Sequence, residues 1–134
     1  MMRRVFLLGI ASFSMLFAAS ASYGETTIIG FWEEVGVSDS LVLYAQDGNI
    51  VYVIGTYAIN GQPRLWHGFG QREGNTITYS TEITLGPAQA KGKTGKHILT
   101  ISSDGRTLAG NAIASDGKSS SLTMKKKSSP SLPS

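Results

Sequence analysis

The chain has 134 residues, of which 41% are hydrophobic and 16% charged, and it contains no cysteine. Its length allows one ordinary domain, and the lack of cysteine excludes disulfide bonds, thiolate metal sites and lipid attachment through a cysteine. The formal net charge is +3, but residues 22–134 hold ten basic and nine acidic residues, so the composition does not indicate a nucleic-acid-binding protein.

An export signal is predicted at residues 1–21. Two arginines precede an apolar run at residues 5–19, and the sequence "ASA" at 19–21 offers the small residues that signal peptidase requires. The run is shorter than the ~20 apolar residues that cross a bilayer. We therefore expect cleavage after Ala21, a periplasmic or secreted protein, and no stable membrane insertion afterwards.

Turn dipeptides divide the remaining chain into short runs rich in Val, Ile, Tyr, Thr and Leu; they are Asp47-Gly48, Asn60-Gly61, Gly74-Asn75, Asp104-Gly105 and Asp116-Gly117. Such pairs favour hairpin turns because glycine adopts positive φ freely and Asn or Asp tolerates it. The sequence predicts eight strands, at about 28–35, 40–46, 50–59, 64–72, 76–84, 97–102, 107–114 and 119–125. No segment of the mature chain predicts a helix.

The predicted strands form one domain at residues 22–127. The stretch "GPAQAKGKTGK" at residues 86–96 predicts a solvated loop because of its Gly, Pro and Lys content. Residues 128–134 predict a disordered C-terminal tail. The sequence therefore divides into an export signal, one β domain and a short tail.

Eight consecutive hairpin-linked strands leave two sheet edges, and closure into an up-and-down barrel removes both. The predicted fold class is therefore all-β, a single antiparallel meander of about eight strands in a closed or nearly closed barrel. Closure pairs the first strand with the last and brings Glu33 and Glu34 near the lysines at 125–127. This pairing accounts for part of a charge asymmetry, since residues 22–60 carry five acidic residues and no lysine or arginine.

Aromatic residues are concentrated in the first five strands; they are Trp32, Tyr44, Tyr52, Tyr57, Trp66, Phe69 and Tyr79. In the fourth strand Leu65, His67 and Phe69 share one face and Trp66 shares the other with two glycines. An aromatic wall of this kind is typical of a ligand site, because rings provide a large contact area, and equally of a packed core. Both interpretations stay open.

Catalytic and metal-binding patterns are missing from the sequence. His67 and His97 are the only histidines and do not form a metal-binding pair. Glu33 and Glu34 are adjacent, so on a strand they point to opposite faces and cannot act together as acid and base. The two Ser-Asp-Gly turns lack the dense oxygen ligands of a calcium loop. We expect no catalytic residue, no metal and no cofactor.

The first strand begins with Gly30-Phe31-Trp32, and turn-punctuated strands follow as far as Lys125. In this motif, and in strand number and direction, the chain resembles the lipocalin-like barrels (calycins), which include avidin-like proteins. The resemblance implies that Trp32 caps one end of the barrel and that the other end opens on a ligand cavity. The chain departs from the family on the last strand, where a lysine at 125–127 is the nearest replacement for the family's arginine. The stretch "LTISSDGRTLAGNAIASDG" is similar to phrases common in small exported bacterial β-proteins.

Together these features predict an exported, non-catalytic binding protein that holds a small apolar or amphipathic ligand in its barrel. The predicted ligand-binding residues are Trp32, Tyr57, Trp66, His67 and Tyr79, with His67 and a tyrosine hydroxyl orienting the ligand. The alternative is a protein-interaction module, such as an inhibitor of an envelope enzyme, that acts through its loops. The expected partner is thus a small hydrophobic ligand or an envelope protein, and not a nucleic acid.

Overall fold

The structure is a computed structural model that describes residues 26–127, in which eight antiparallel strands and no helix occur. The strands are β1 (Gly30–Glu34), β2 (Leu41–Asp47), β3 (Ile50–Ile59), β4 (Gln62–Glu73), β5 (Thr76–Leu85), β6 (Thr94–Ile101), β7 (Thr107–Ala114) and β8 (Ser119–Lys126). Each strand pairs with the next, and β8 pairs with β1 to close the barrel. The predicted fold class is confirmed.

The hairpin turns lie where the turn dipeptides predict them, and their five glycines all have positive φ. In the two Ser-Asp-Gly turns the aspartate closes the turn locally. Asp104 Oδ1 accepts a hydrogen bond from the backbone N–H of Arg106 at 3.0 Å, and Asp116 Oδ1 accepts one from Lys118 at 2.9 Å. The repeated phrase therefore builds turns, as Asx residues commonly do.

The connection between β5 and β6 differs from the predicted solvated loop. It contains a tight turn in which the carbonyl of Pro87 accepts hydrogen bonds from the N–H groups of Ala90 and Lys91. Ala90 is buried. Strand β6 begins at Thr94, which pairs with Glu82, so three residues assigned to the loop by their composition join the sheet. Backbone pairing prevails there over the loop-forming composition.

The seam between β1 and β8 carries part of the predicted charge pairing. Glu33 lies opposite Lys125, and its carboxylate is 3.8 Å from the Lys127 ammonium. Glu34 lies opposite Met124 and turns to the barrel interior, because successive side chains of a strand point to opposite faces. The predicted approach to the lysines thus holds for Glu33 only.

Residues 26–29 lie across one end of the barrel, and we name this segment the floor. The indole Nε1 of the fully buried Trp32 donates a hydrogen bond to the carbonyl of Ile28 at 2.8 Å. The Lys126 ammonium lies 5.5 Å from the centre of the Trp32 ring and donates to the carbonyl of Thr27 at 3.2 Å. A tryptophan, a cation above it and the chain before β1 together close this end.

Arg72 joins β4 to the same floor. Its buried guanidinium donates to the carbonyl of Thr26 at 2.5 Å through Nη1 and to the carbonyl of Gly74 at 2.8 Å through Nε. A buried charge needs such partners, since removal from water is costly without them. These hydrogen bonds hold the start of the described chain against the barrel.

Two predictions lie outside the described residues: the export signal at 1–21 and the disordered tail at 128–134. The beginning of the predicted domain at residue 22 lies outside them as well. Within residues 26–127, no helix is long and apolar enough to cross a membrane.

Candidate functional site

Side chains fill the barrel from the floor to about its middle. Alternate residues of every strand point inward, and the inward side chains at this level are almost completely buried; among them are Trp32, Tyr44, Val51, Ile77, Tyr79, Leu99, Ile101, Leu108 and Met124. This part of the interior is a packed core. Space for another molecule lies only nearer the opposite end of the described barrel.

A cavity of about 270 Å³ occupies the end opposite the floor, and we name it the mouth cavity. Its lining combines aromatic, aliphatic and polar side chains with one carboxylate: Glu34, Val37, Tyr57, Trp66, Thr81, Ile83 and His97. The volume lies just below the ~300–1,000 Å³ that is typical of small-molecule sites. An occupant of this cavity would therefore be small.

Trp66 forms one wall of the mouth cavity. It lies next to Gly55 on the neighbouring strand, where a side chain would collide with the indole ring. The Trp66 ring is nearly parallel to that of Tyr79, with an interplanar angle of 10° and centroids 6.3 Å apart, and meets the His97 ring edge-on at 5.3 Å. Glycine at position 55 thus lets the indole pack flat and fixes the cavity wall.

Four side chains form a hydrogen-bonded line from the core to the mouth cavity, which we name the Tyr–His chain. The Tyr44 hydroxyl donates to the Met124 sulfur at 3.4 Å and lies 2.5 Å from the Tyr79 hydroxyl. The Tyr79 hydroxyl lies 2.8 Å from His97 Nδ1. Buried hydroxyls need partners of this kind. The Tyr–His chain therefore connects the packed core to His97 in the mouth cavity.

Burial sets the protonation of the Tyr–His chain. It raises the pKa values of Tyr44 and Tyr79 far above the ordinary tyrosine value, so both hydroxyls keep their protons at neutral pH. Burial lowers the pKa of His97 to about 4, so its imidazole is neutral there. The side chains of the Tyr–His chain thus carry no net charge at neutral pH.

Glu34 brings a carboxylate to the rim of the mouth cavity. It is the last residue of β1, and its backbone N–H donates to Ser40 Oγ at 2.9 Å, which fixes the start of the β1–β2 connection. Burial raises the pKa of Glu34. The negative charge of this carboxylate disfavours deprotonation of Tyr44 and Tyr79 and so raises their pKa values further. Glu34 therefore faces the same interior as the Tyr–His chain.

The five predicted ligand-binding residues are placed in three different surroundings. Tyr57 and Trp66 line the mouth cavity, and Tyr79 lies buried beneath it as part of the Tyr–His chain. Trp32 lies in the floor. His67 lies on the outer face of β4 with 51% of its side chain exposed. The structure thus brings together three of the five.

His67 points outward because its neighbour Trp66 points inward, and adjacent residues of a strand cannot share a face. Its Nε2 lies 3.9 Å from a carboxylate oxygen of Glu82 on the outer surface. His97 occupies the place in the cavity that the sequence assigned to His67. The signal for it is the alternation in β6, where His97 shares a face with the buried Leu99 and Ile101.

The other two residues of the aromatic set lie outside the barrel. Tyr52 and Phe69 are neighbours across β3 and β4, with ring centroids 5.2 Å apart. Together with exposed aliphatic side chains of β2 and β3 they form an apolar outer patch; its members are Leu41, Leu43, Tyr52, Ile54 and Phe69. The alternative function, a protein-interaction module that acts through its loops, calls for an apolar patch beside residues 86–96. Leu85 is an exposed apolar residue next to that segment.

A second concave surface of about 320 Å³ lies on the outside of β4 and β5. Its side chains are mostly exposed and polar, and Phe69 is the single outward aromatic among them. Tyr79 contributes only its backbone to this surface, because its ring is buried in the barrel interior. The mouth cavity is therefore the better candidate site, because it lies at the end of the barrel interior and combines aromatic walls with converging polar groups.

The described residues 26–127 include no group of three or more His, Cys, Asp or Glu side chains arranged to hold a metal ion. The fold and cavity define a class, the closed up-and-down β-barrel with a floor at one end and a cavity at the other. Comparison with protein-family models finds no matching family. Comparisons with curated proteins and with solved structures also find no match.

Proposed function

We propose that this protein is an exported binding protein that holds a small amphipathic molecule in the mouth cavity and does not transform it. The observation that carries the proposal is the enclosure of aromatic walls, a carboxylate and a neutral imidazole in one cavity of about 270 Å³. Sites for small molecules typically combine apolar walls with a few converging polar groups. A periplasmic or secreted location, after removal of residues 1–21, belongs to the same proposal.

The resemblance to lipocalin-like barrels supports this proposal through the floor. In those proteins a tryptophan caps one end and the ligand enters at the other, and Trp32 lies at the closed end of this barrel. Lys126, on the last strand, lies above the Trp32 ring, where it could take the place of the family's arginine. Membership of that family remains part of the proposal.

Native mass spectrometry of the protein isolated from its own host tests the function. Thr81→Leu places extra volume in the cavity, whereas Ser80→Leu places a leucine on the outer face of β5. We expect a small-molecule adduct on the wild-type protein and on Ser80→Leu, and its loss from Thr81→Leu. Melting curves of the three proteins confirm that each is folded.

Two results would contradict a cavity ligand: a wild-type protein without any adduct, and an adduct that Thr81→Leu retains. The alternative, a protein-interaction module acting through loops, predicts the first of these. It also predicts that a purified partner would bind Thr81→Leu as tightly as the wild-type protein and would be lost after changes in residues 86–93.

A further inference from the structure

The mouth cavity has a single charged lining residue, Glu34, among its seven. Its neighbour Glu33 lies on the outside and takes the Lys127 ammonium at 3.8 Å. Within residues 26–127, no Lys, Arg or His nitrogen lies within 4.0 Å of the Glu34 carboxylate. A partly buried carboxylate with no cationic partner gains from a positive charge brought by a ligand.

The Tyr–His chain adds a second acceptor to the same cavity. The Met124 sulfur can only accept, so when the Tyr44 hydroxyl donates to it, the Tyr79 hydroxyl is the donor to Tyr44. In this arrangement His97 donates its Nδ1–H to the Tyr79 hydroxyl. A neutral imidazole with its proton on Nδ1 has a bare Nε2, which accepts hydrogen bonds.

The position of His97 Nε2 agrees with such a role. His97 lines the mouth cavity, and its Nε2 forms no hydrogen bond with another described residue. Nor does this nitrogen belong to the described side-chain atoms that are buried without a partner. This nitrogen therefore keeps some contact with solvent, and Glu34 and His97 both line the cavity as possible acceptors.

The aromatic walls favour the same ligand charge. Tyr57 and Trp66 line the cavity, and aromatic faces attract ammonium groups through their π-electrons. The Arg64 guanidinium lies 6.0 Å from the centre of the Tyr57 ring, so the faces left for a ligand cation are those that line the cavity. Arg64 itself is not among the lining residues, so Glu34 is the charged side chain that a ligand would contact in the cavity.

We propose that the ligand of the mouth cavity is a small protonated amine with an apolar or aromatic body. Its ammonium group donates hydrogen bonds to the Glu34 carboxylate and to His97 Nε2, while its body packs between Tyr57, Trp66 and Ile83. This inference rests on the proposed function and specifies its ligand class.

Three probes with a common phenyl body and different charge test the ligand class: 2-phenylethylamine, 2-phenylethanol and 3-phenylpropionate. Titrations at neutral pH use the wild-type protein, Glu34→Gln and the matched control Glu33→Gln. We expect the wild-type protein and Glu33→Gln to bind the amine at least about tenfold more tightly than the alcohol. In Glu34→Gln the amine should lose this advantage while the affinity for the alcohol stays the same, which verifies that the cavity is intact.

The outcomes separate the two proposals. If the alcohol or the carboxylate binds the wild-type protein as tightly as the amine, the amine class is overturned while the cavity remains a binding site. Equal losses in Glu33→Gln and Glu34→Gln also overturn it, because Glu33 does not face the cavity. If none of the three probes binds, the proposed function itself is contradicted.

The tautomer of His97 provides an independent measurement. We expect the side-chain 15N spectrum of the unliganded protein at pH 7 to show a protonated Nδ1 and a bare Nε2. A hydrogen-bond shift of the Nε2 signal should follow when 2-phenylethylamine is added. The reverse tautomer, with a proton on Nε2, would overturn the role assigned to His97 as an acceptor.

Discussion

At the scale of single residues, His97 is the side chain in which burial and hydrogen bonding meet most clearly. Its imidazole contacts Trp66 and Tyr79 edge-on and bonds the Tyr79 hydroxyl. Burial keeps it neutral, with a pKa lowered to about 4. Protonation would place a charge among these buried aromatic rings. Protonation of His97 therefore destabilises the folded protein.

This destabilisation predicts a pH dependence of stability. The ordinary pKa of the imidazole is 6.5, and in the folded protein it is about 4. Between these values the unfolded chain binds a proton at His97 and the folded protein does not, so the free energy of unfolding falls as the pH is lowered through this window. The full contribution is about 3 kcal/mol at most.

Glu34 changes stability in the other direction, because burial raises its pKa and protonation at low pH relieves the folded state. Urea unfolding of the wild-type protein and His97→Gln between pH 7 and pH 4 separates the two effects. Relative to the wild-type protein, the variant should lose less stability as the pH falls. Parallel curves for the two proteins would contradict the neutral, buried His97.

The sequence contained most of the information needed for the site at this scale. Alternation from Trp32 places Glu34 inside the barrel, and alternation from Leu99 places His97 there as well. The same rule forbids Trp66 and His67 from sharing a face. What the sequence did not contain is the depth of each side chain along the barrel, since depth depends on how the strands are staggered around it.

At the scale of elements, local turn chemistry marks five of the seven connections between the eight strands. Asx-Gly pairs report backbone conformation directly, and each separates two strands of the barrel. The start of β6 was missed because the Gly and Lys residues of 92–96 resemble a loop while the strand is held by pairing with β5. Residue 28 was assigned to the first strand, whereas it lies in the floor before β1.

Two of these turns differ in what lies beside them. Gly105 and Gly117 have φ values of +74° and +88°. A Cβ at position 105 would lie 3.2 Å from Cβ of Thr26, whereas a Cβ at position 117 would meet nothing within 4 Å. Turn and floor are therefore packed together at Gly105 but not at Gly117.

This difference predicts unequal costs for the same substitution. Gly117→Ala should lower the free energy of unfolding by about 1 kcal/mol through backbone strain at positive φ alone. Gly105→Ala should lower it further, because Thr26 must also move. Denaturant unfolding of the two variants measures the difference, and equal costs would show that the floor does not press against this turn.

At the scale of the whole molecule, the barrel depends on a closed end. The Lys126 ammonium lies above Trp32 and bonds the carbonyl of Thr27, which makes this lysine a link between β8 and the floor. Among the described residues 26–127, its neighbour Lys125 donates only to the Thr107 hydroxyl, at 3.4 Å on the exposed outer surface. These adjacent lysines provide a matched pair for testing the floor.

We expect Lys126→Gln to lower the free energy of unfolding by about 1 kcal/mol, because it removes a cation above an indole ring. Lys125→Gln should change it by less than about 0.5 kcal/mol, as is usual for an exposed substitution. Fluorescence of Trp32, measured in a Trp66→Phe background, should shift for Lys126→Gln only. Equal effects of both substitutions would argue against the link to the floor.

The floor also determines how a bound molecule would be replaced. With residues 26–29 and Trp32 across one end, a guest in the mouth cavity must leave through the entrance by which it arrived. A competing ligand cannot enter through the floor, so we expect the bound ligand to dissociate before the competitor binds. We therefore expect the rate at which a guest is released to be independent of the competitor concentration, and the β1–β2 connection, whose Val37 lines the cavity, to be the place where substitutions change the residence time.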